Sequence, residues 1–141
     1  LMQRGWLPLS DDVALMEVAS GLLYPFPRCF HVDTAWSAQT MRHDGFEQPA
    51  ALAGFARPLR WASGGHRVTA LFLVERNPAG GSARKPIAQA LAAGALLTQS
   101  IKTQQTPAQI AAAAAQVAGG ARCYSLINGD LASALDLITA G

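Results

Sequence analysis

The sequence predicts an α/β fold in which a mixed sheet is flanked by helices, and three observations support that prediction. Residues 68–74 form an almost continuous apolar run, which is typical of a strand covered on both faces. Residues 86–100 and 107–118 have the composition and the end signals of helices. Residues 122–127 predict a second long strand, and residues 129–139 predict a closing helix.

The first part of the chain predicts short strands and one rigid connection. Strands are predicted at residues 13–17, 22–24 and 29–32. Pro25 and Pro27 each fix a backbone torsion and remove an N–H donor. The connection between the second and third strands is therefore predicted to be extended and to hold Arg28 in one direction. Asp33 or Thr34 can then cap a helix that continues to about residue 42.

Residues at helix ends define the later elements. Pro86 is predicted to be the first residue of a helix that ends near residue 100, because proline is favoured at that position. Thr106 and Pro107 predict the start of the next helix, and Gly119-Gly120 predict its end. The predicted core is one cluster of five leucines: Leu71, Leu73, Leu91, Leu126 and Leu135.

Composition limits the class of protein. Half of the 141 residues are hydrophobic and 14% are charged, which predicts a single, well-packed domain over residues 1–141. The net charge of +2 argues against a nucleic-acid partner, because phosphate recognition needs a concentrated basic face. No apolar run reaches the length of a membrane span, and no secretory signal is visible. Cys29 and Cys123 are predicted to be reduced, buried thiols of a cytoplasmic protein.

The polar interruption Ser10-Asp11-Asp12 lies between the apolar stretches 6–9 and 13–16. Two adjacent carboxylates at the edge of a buried strand repel each other and lose hydration, so such a pair commonly holds a cation or a proton donor. Asp11 and Asp12 are therefore a candidate site for Mg²⁺, and we expect them at the carboxyl end of a strand. The alternative is a pair of carboxylates that simply face water.

Arg28 is the second candidate. A guanidinium held by two prolines can contact a phosphate or a carboxylate with two hydrogen bonds, and we expect it to share a cleft with the acidic pair. The alternative is a structural arginine paired with Asp33 or Asp11. A zinc site is not predicted, because no third ligand is suitably spaced beside any of the histidines His31, His43 and His66.

The segment Gly-Trp-Leu-Pro-Leu-Ser-Asp-Asp-Val-Ala-Leu at residues 5–15 is followed by Gly-Leu-Leu-Tyr-Pro-Phe-Pro-Arg at residues 21–28. This order resembles the segment downstream of the phosphate-binding loop in kinases related to bacterial HPr serine kinase. A looser similarity continues through residues 68–74, 90–100 and 123–131. The resemblance implies a fold similar to that of HPr kinase and phosphoenolpyruvate carboxykinase.

The resemblance also implies a function and its cofactors. ATP and Mg²⁺ would be the cofactors, Asp11 and Asp12 would bind the metal, and one of the two would accept the proton of the attacking hydroxyl. The acceptor would be a protein hydroxyl or a small molecule.

One departure from the kinase pattern is the phosphate-binding loop, since no window of the chain matches G-x-x-x-x-G-K-[ST]. We therefore expect the distal part of a kinase-like domain that is incomplete at its N-terminus and inactive in isolation. The alternative is a non-catalytic kinase-like domain that binds a protein or peptide. Asp33 favours that alternative, because many relatives implied by the resemblance have a lysine there. Either protein could form a homo-oligomer.

Overall fold

The computed structural model describes residues 1–31, 46–47, 54–101 and 105–140. The chain forms two compact units, of which the first contains Leu1–Glu17 and Leu22–His66 and the second contains Val18–Gly21 and Arg67–Gly141. The described residues form small antiparallel and mixed sheets with three α-helices, which confirms the α/β class. None of the described helices is long and apolar enough to cross a membrane.

The first unit is built from short antiparallel strands. Its elements are β1 at Leu15–Met16, β2 at Leu23–Tyr24, β3 at Phe30–His31, β4 at Phe46–Glu47 and β5 at Phe55–Pro58. Strand β1 pairs with β2, and a separate sheet has the order β3-β5-β4. The predicted strand over residues 13–17 is thus shorter than expected. The predicted helix from Asp33 or Thr34 lies outside the described residues.

The second unit is a three-stranded sheet with three helices. Its elements are β6 at Ala70–Arg76, β7 at Ala83–Pro86, α1 at Gln89–Gln99, α2 at Pro107–Gly119, β8 at Arg122–Asn128 and α3 at Leu131–Thr139. The strand order is β6-β8-β7, with β6 parallel and β7 antiparallel to the central β8. This mixed sheet confirms the strands predicted near residues 68–74 and 122–127.

Local signals at the ends of α2 act as the sequence predicts. The hydroxyl of Thr106 accepts a hydrogen bond from the backbone N–H of Gln109, and the Gln109 side chain accepts one from the backbone N–H of Thr106. This capping box satisfies two N–H groups, and Pro107 follows at the first helical position. The helix ends at Gly119 as predicted.

The start of α1 differs from the prediction. Pro86 is the last residue of β7, where it lies opposite Tyr124, and the helix begins only at Gln89. Proline is tolerated at the end of an edge strand, because its missing N–H need not serve a second neighbour. Pairing with β8 therefore decided the conformation of residues that carry no strand pattern of their own.

Small residues, rather than a cluster of leucines, fill the core under one face of the sheet. Leu71 and Cys123 are register partners, and both pack with Ala92 of α1 and Ala118 of α2. The predicted leucine cluster is wrong: Leu91 is 59% exposed, and Leu71, Leu73 and Leu135 are half-buried. Ala92, and not Leu91, is the fully buried residue of α1 on this face. Alanines allow both helices to approach the sheet closely.

The opposite face of the sheet packs against α3. Arg84 of β7 lies over the ring of Tyr124, with its Cζ atom 4.8 Å from the ring centroid. Its Nη1 donates a hydrogen bond to the Leu137 carbonyl oxygen at 2.7 Å, which satisfies a carbonyl in the last turn of α3. Leu126 on the same strand face as Tyr124 is fully buried. The central strand β8 is thus covered on both faces.

A serine joins the loop after β6 to the start of α3. The Ser82 hydroxyl accepts hydrogen bonds from the backbone N–H groups of Gly129 and Asp130, both at 3.1 Å. It also donates to the Asp130 carbonyl oxygen at 3.0 Å. Glycine is required at position 129, because a Cβ atom there would contact the Gly80 carbonyl and lie 2.7 Å from the Gly81 carbonyl carbon. The backbones of the two loops are therefore in direct contact at Gly129.

Asp130 predicts a pH dependence of stability. The backbone and side chain of Ser133 hydrogen-bond to its carboxylate and lower its pKa below the ordinary value of 3.8, and Ser82 contributes in the same direction. A lowered pKa in the folded state means stability that is present above pH 3.8 and is lost as pH falls through the folded-state pKa. Asp130→Asn keeps a good N-cap but cannot titrate.

We therefore expect the wild type to lose stability relative to Asp130→Asn on acidification. Urea unfolding at about pH 6 and about pH 3 measures this difference, since linkage predicts a change only across the pKa interval. Comparison of the two proteins cancels the contribution of the other carboxylates. A constant difference between the two proteins across that interval would contradict the role assigned to the Asp130 carboxylate.

Candidate functional site

The acidic pair lies in a loop before β1, not at the carboxyl end of a strand as the sequence predicted. Residues 6–9 form no strand, and Trp6 and Leu7 are 51% and 45% exposed. The backbone of this stretch is held by single hydrogen bonds, from Ala62 N–H to the Pro8 carbonyl and from Phe26 N–H to the Leu9 carbonyl. A strand needs a paired neighbour along its length, and isolated bonds do not provide one.

The two prolines and Phe26 bring Arg28 to this loop. Phe26, the residue between Pro25 and Pro27, keeps its N–H, and that group donates to the Leu9 carbonyl oxygen at 2.8 Å. The bond fastens the extended segment beside the acidic loop. Arg28 then follows directly, with its guanidinium carbon 5.8 Å from the centroid of the Phe26 ring. The rigid connection predicted from the prolines thus has a specific attachment point.

Arg28 forms an ion pair with Asp12. The distance from Arg28 Nη1 to Asp12 Oδ1 is 2.9 Å, and the two side chains are 48% and 66% exposed, respectively. The sequence suggested Asp33 or Asp11 as the partner of a structural arginine. Arg28 pairs with Asp12 instead of Asp11, and Asp33 lies outside the described residues. An exposed pair of this kind contributes about 0–1 kcal/mol to stability. Because both side chains are exposed, a ligand from solvent can reach them.

Asp11 is held by a backbone donor. Its Oδ2 accepts a hydrogen bond from the N–H of His31 at 3.3 Å, and His31 belongs to β3. Within the described part of the chain, Asp11 Oδ1 and Asp12 Oδ2 have no hydrogen-bond partner. The loop therefore presents one open carboxylate oxygen from each aspartate, while the second oxygen fixes the orientation of each side chain.

Ser10, the residue before the acidic pair, has a buried polar atom that the sequence reasoning did not anticipate. Its hydroxyl oxygen is buried, and it has no hydrogen-bond partner among the residues that the structure describes. A buried hydroxyl without a partner costs about 1–3 kcal/mol. Its position between an apolar stretch and two aspartates was the only signal in the sequence.

The carboxylates of Asp11 and Asp12 are oxygen ligands of the chemical type that Mg²⁺ accepts. Mg²⁺ prefers hard oxygen ligands and is commonly held by one or two carboxylates, with phosphate oxygens and water completing an octahedron. Asp11 and Asp12 offer two such oxygens. In the described ranges no group of three or more His, Cys, Asp or Glu side chains converges, so these residues form no closed metal cage.

The remaining candidate residues have ordinary surroundings. The His66 Nε2 atom lies 2.9 Å from the Ser63 carbonyl oxygen, and the His31 ring packs edge-on against Phe55 at 5.2 Å between centroids. His43 lies outside the described residues. Cys123 is buried as predicted, whereas Cys29 is only half-buried, which corrects that part of the prediction. Both thiols are free.

Comparisons with models of known families, with curated proteins and with solved structures each found no match.

Proposed function

We propose that this chain is the distal portion of an ATP-dependent kinase or phosphotransferase related to HPr serine kinase, which acts on a protein hydroxyl or a small acceptor. The observation that carries the proposal is the 2.9 Å contact between Asp12 and Arg28, which are 16 residues apart. It joins two of the three predicted site residues, and Asp11 is adjacent. The resemblance assigns the acidic pair to the metal and the proton, and the guanidinium of Arg28 is the candidate for a phosphate contact.

The arrangement suits phosphoryl transfer because that reaction depends on positioning and charge neutralisation. Mg²⁺, held by the open oxygens of Asp11 and Asp12, would neutralise phosphate charge. Arg28 would turn from Asp12 to a phosphate oxygen, which its exposed position allows. The acceptor oxygen bonds to the γ-phosphorus while the bond from that phosphorus to the ADP oxygen breaks. The acceptor proton passes to an aspartate carboxylate.

In this proposal the nucleotide-binding loop would lie outside these 141 residues, since they contain no matching pattern. The test therefore uses the intact protein that carries this chain. Transfer from labelled ATP is measured in the presence of Mg²⁺, and nucleotide binding is followed separately by calorimetry. Failure of the intact protein both to bind ATP and to transfer phosphate would overturn the proposal.

Arg28→Gln tests the role of the guanidinium. A hydrogen bond to a charged group contributes about 1.5–3 kcal/mol, so its loss should raise the KM for ATP by about tenfold or more. The fold should be retained, because the exposed ion pair contributes little stability. Arg60→Gln makes the same change at another exposed arginine of the first unit and should leave KM unchanged. Equal KM values in both variants would remove Arg28 from the phosphate site.

The second candidate function is a non-catalytic domain that binds a protein or peptide. Exposed apolar side chains in the first unit favour it, since Trp6, Leu7 and Leu59 are 51%, 45% and 60% exposed. The same experiments separate the two functions. A kinase loses transfer when the acidic pair is changed, whereas a binding domain shows no nucleotide-dependent reaction at all.

A further inference from the structure

The chain contains two asparagines, which differ in the residue that follows them. Asn128, the last residue of β8, precedes Gly129, whereas Asn77 precedes Pro78. An asparagine amide is converted to an acid when the backbone nitrogen of the next residue attacks the side-chain carbonyl carbon. Glycine allows this attack because it has no side chain to hinder the approach, whereas proline has no N–H to lose. Asn128-Gly129 is therefore the reactive pair of this chain.

The peptide group between these two residues is held at both of its polar atoms. The Gly129 N–H donates to the Ser82 hydroxyl at 3.1 Å, and the Asn128 carbonyl accepts from the Asn77 N–H at 2.9 Å. Asn128 itself is extended and pairs with Arg76. Attack requires a rotation about the Asn128 Cα–C bond that turns the Gly129 nitrogen towards the side chain. Because that rotation moves the whole peptide group, it breaks both hydrogen bonds.

The Ser82 hydroxyl acts on the chemistry of the attack as well as on its geometry. The hydroxyl donates to the Asp130 carbonyl oxygen at 3.0 Å, so its lone pairs face the backbone N–H groups of Gly129 and Asp130. The attacking nitrogen must lose its proton, and a hydrogen bond from that N–H to an acceptor favours the protonated form. Ser82 therefore restrains the nucleophile itself.

We propose that Asn128-Gly129 is a deamidation site that the Ser82 hydroxyl keeps unreactive in the folded chain. When this junction opens, the Gly129 nitrogen bonds to Asn128 Cγ, the bond from Cγ to the side-chain nitrogen breaks, and that nitrogen leaves as ammonia with the Gly129 proton. Water then opens the cyclic imide on either side and yields aspartate or isoaspartate. Asn128 is only half-buried, so water reaches the imide.

The product changes the junction that formed the site. Either product places a new carboxylate close to that of Asp130. Isoaspartate also adds a carbon to the backbone before Gly129, which shifts the N–H groups that Ser82 binds at the start of α3. A glycine at position 129 is nevertheless required, because a Cβ atom there would contact the Gly80 carbonyl. Packing thus imposes the reactive pair, and the Ser82 hydrogen bond protects it.

Peptide mass spectrometry after incubation of the full chain at mildly alkaline pH tests the proposal. Deamidation of Asn128 in the folded wild type should be at least about tenfold slower than in urea, because attack requires local opening. Ser82→Ala should raise the rate in the folded protein at least about fivefold, the factor that corresponds to the loss of a neutral hydrogen bond. Asn77 is the internal control and should keep its amide in every sample.

Ser133→Ala is the matched control, because it removes a hydroxyl that contacts Asp130 at the start of the same helix and leaves the Gly129 N–H bonded to Ser82. It should leave the rate unchanged, and circular dichroism verifies that both variants are folded. Equal rates for the wild type in buffer and in urea would overturn the proposal, and this comparison needs no variant. A folded Ser82→Ala protein that reacts no faster than the wild type, or no faster than Ser133→Ala, would overturn it as well.

Discussion

Asp11→Asn and Asp12→Asn are each expected to lower phosphoryl transfer by the intact protein at least about 100-fold, the size of effect that follows the loss of a general base. The amide keeps the shape of the side chain but cannot accept the proton of the acceptor hydroxyl. It is also a poorer ligand for Mg²⁺. Single-turnover transfer from labelled ATP measures the effect without interference from product release.

Nucleotide binding should survive in part in both variants, because most phosphate contacts in such enzymes come from backbone N–H groups of the loop. Calorimetry with ATP and Mg²⁺ therefore distinguishes a loss of chemistry from a loss of binding. Asp136→Asn changes an exposed carboxylate of the second unit in the same way and should leave transfer unchanged. Full transfer in both site variants would remove the acidic pair from the mechanism.

The second large effect is expected from Leu126→Ala. Leu126 is 1% exposed and lies on the central strand β8, between its register partners Val74 and Arg84. Truncating a buried leucine removes apolar contacts and leaves a cavity, which lowers the free energy of unfolding by about 2–5 kcal/mol. Urea denaturation measures the change.

Leu91→Ala is the matched control, since it makes the same truncation at a leucine of α1 that is 59% exposed. Alanine is a strong helix former, so the free energy of unfolding should change by no more than about 0.5 kcal/mol. Equal losses in the two variants would mean that β8 is not the covered centre of the sheet.

Part of the candidate site follows from the sequence, and part does not. The position of Ser10-Asp11-Asp12 and the rigidity of the Pro25–Pro27 segment are local properties, and they predicted that Arg28 would be held in one direction. The pairing of Arg28 with Asp12 rather than Asp11 joins segments distant in the chain, as does the hydrogen bond between Phe26 and Leu9. No local pattern encodes that bond.

The sequence by itself determined the elements whose signals lie within a few residues of one another. The capping box of Thr106 and Gln109 and the glycines after residue 118 define α2, and the apolar run of β6 defines a strand, because these effects act along a single turn or strand. Only the tertiary structure decided that Pro86 belongs to β7 and that Ala92, rather than Leu91, faces the core. The first depends on pairing with β8, and the second depends on the packing of α1 against Leu71 and Cys123 of the sheet, because both contacts join segments that are not neighbours in the chain.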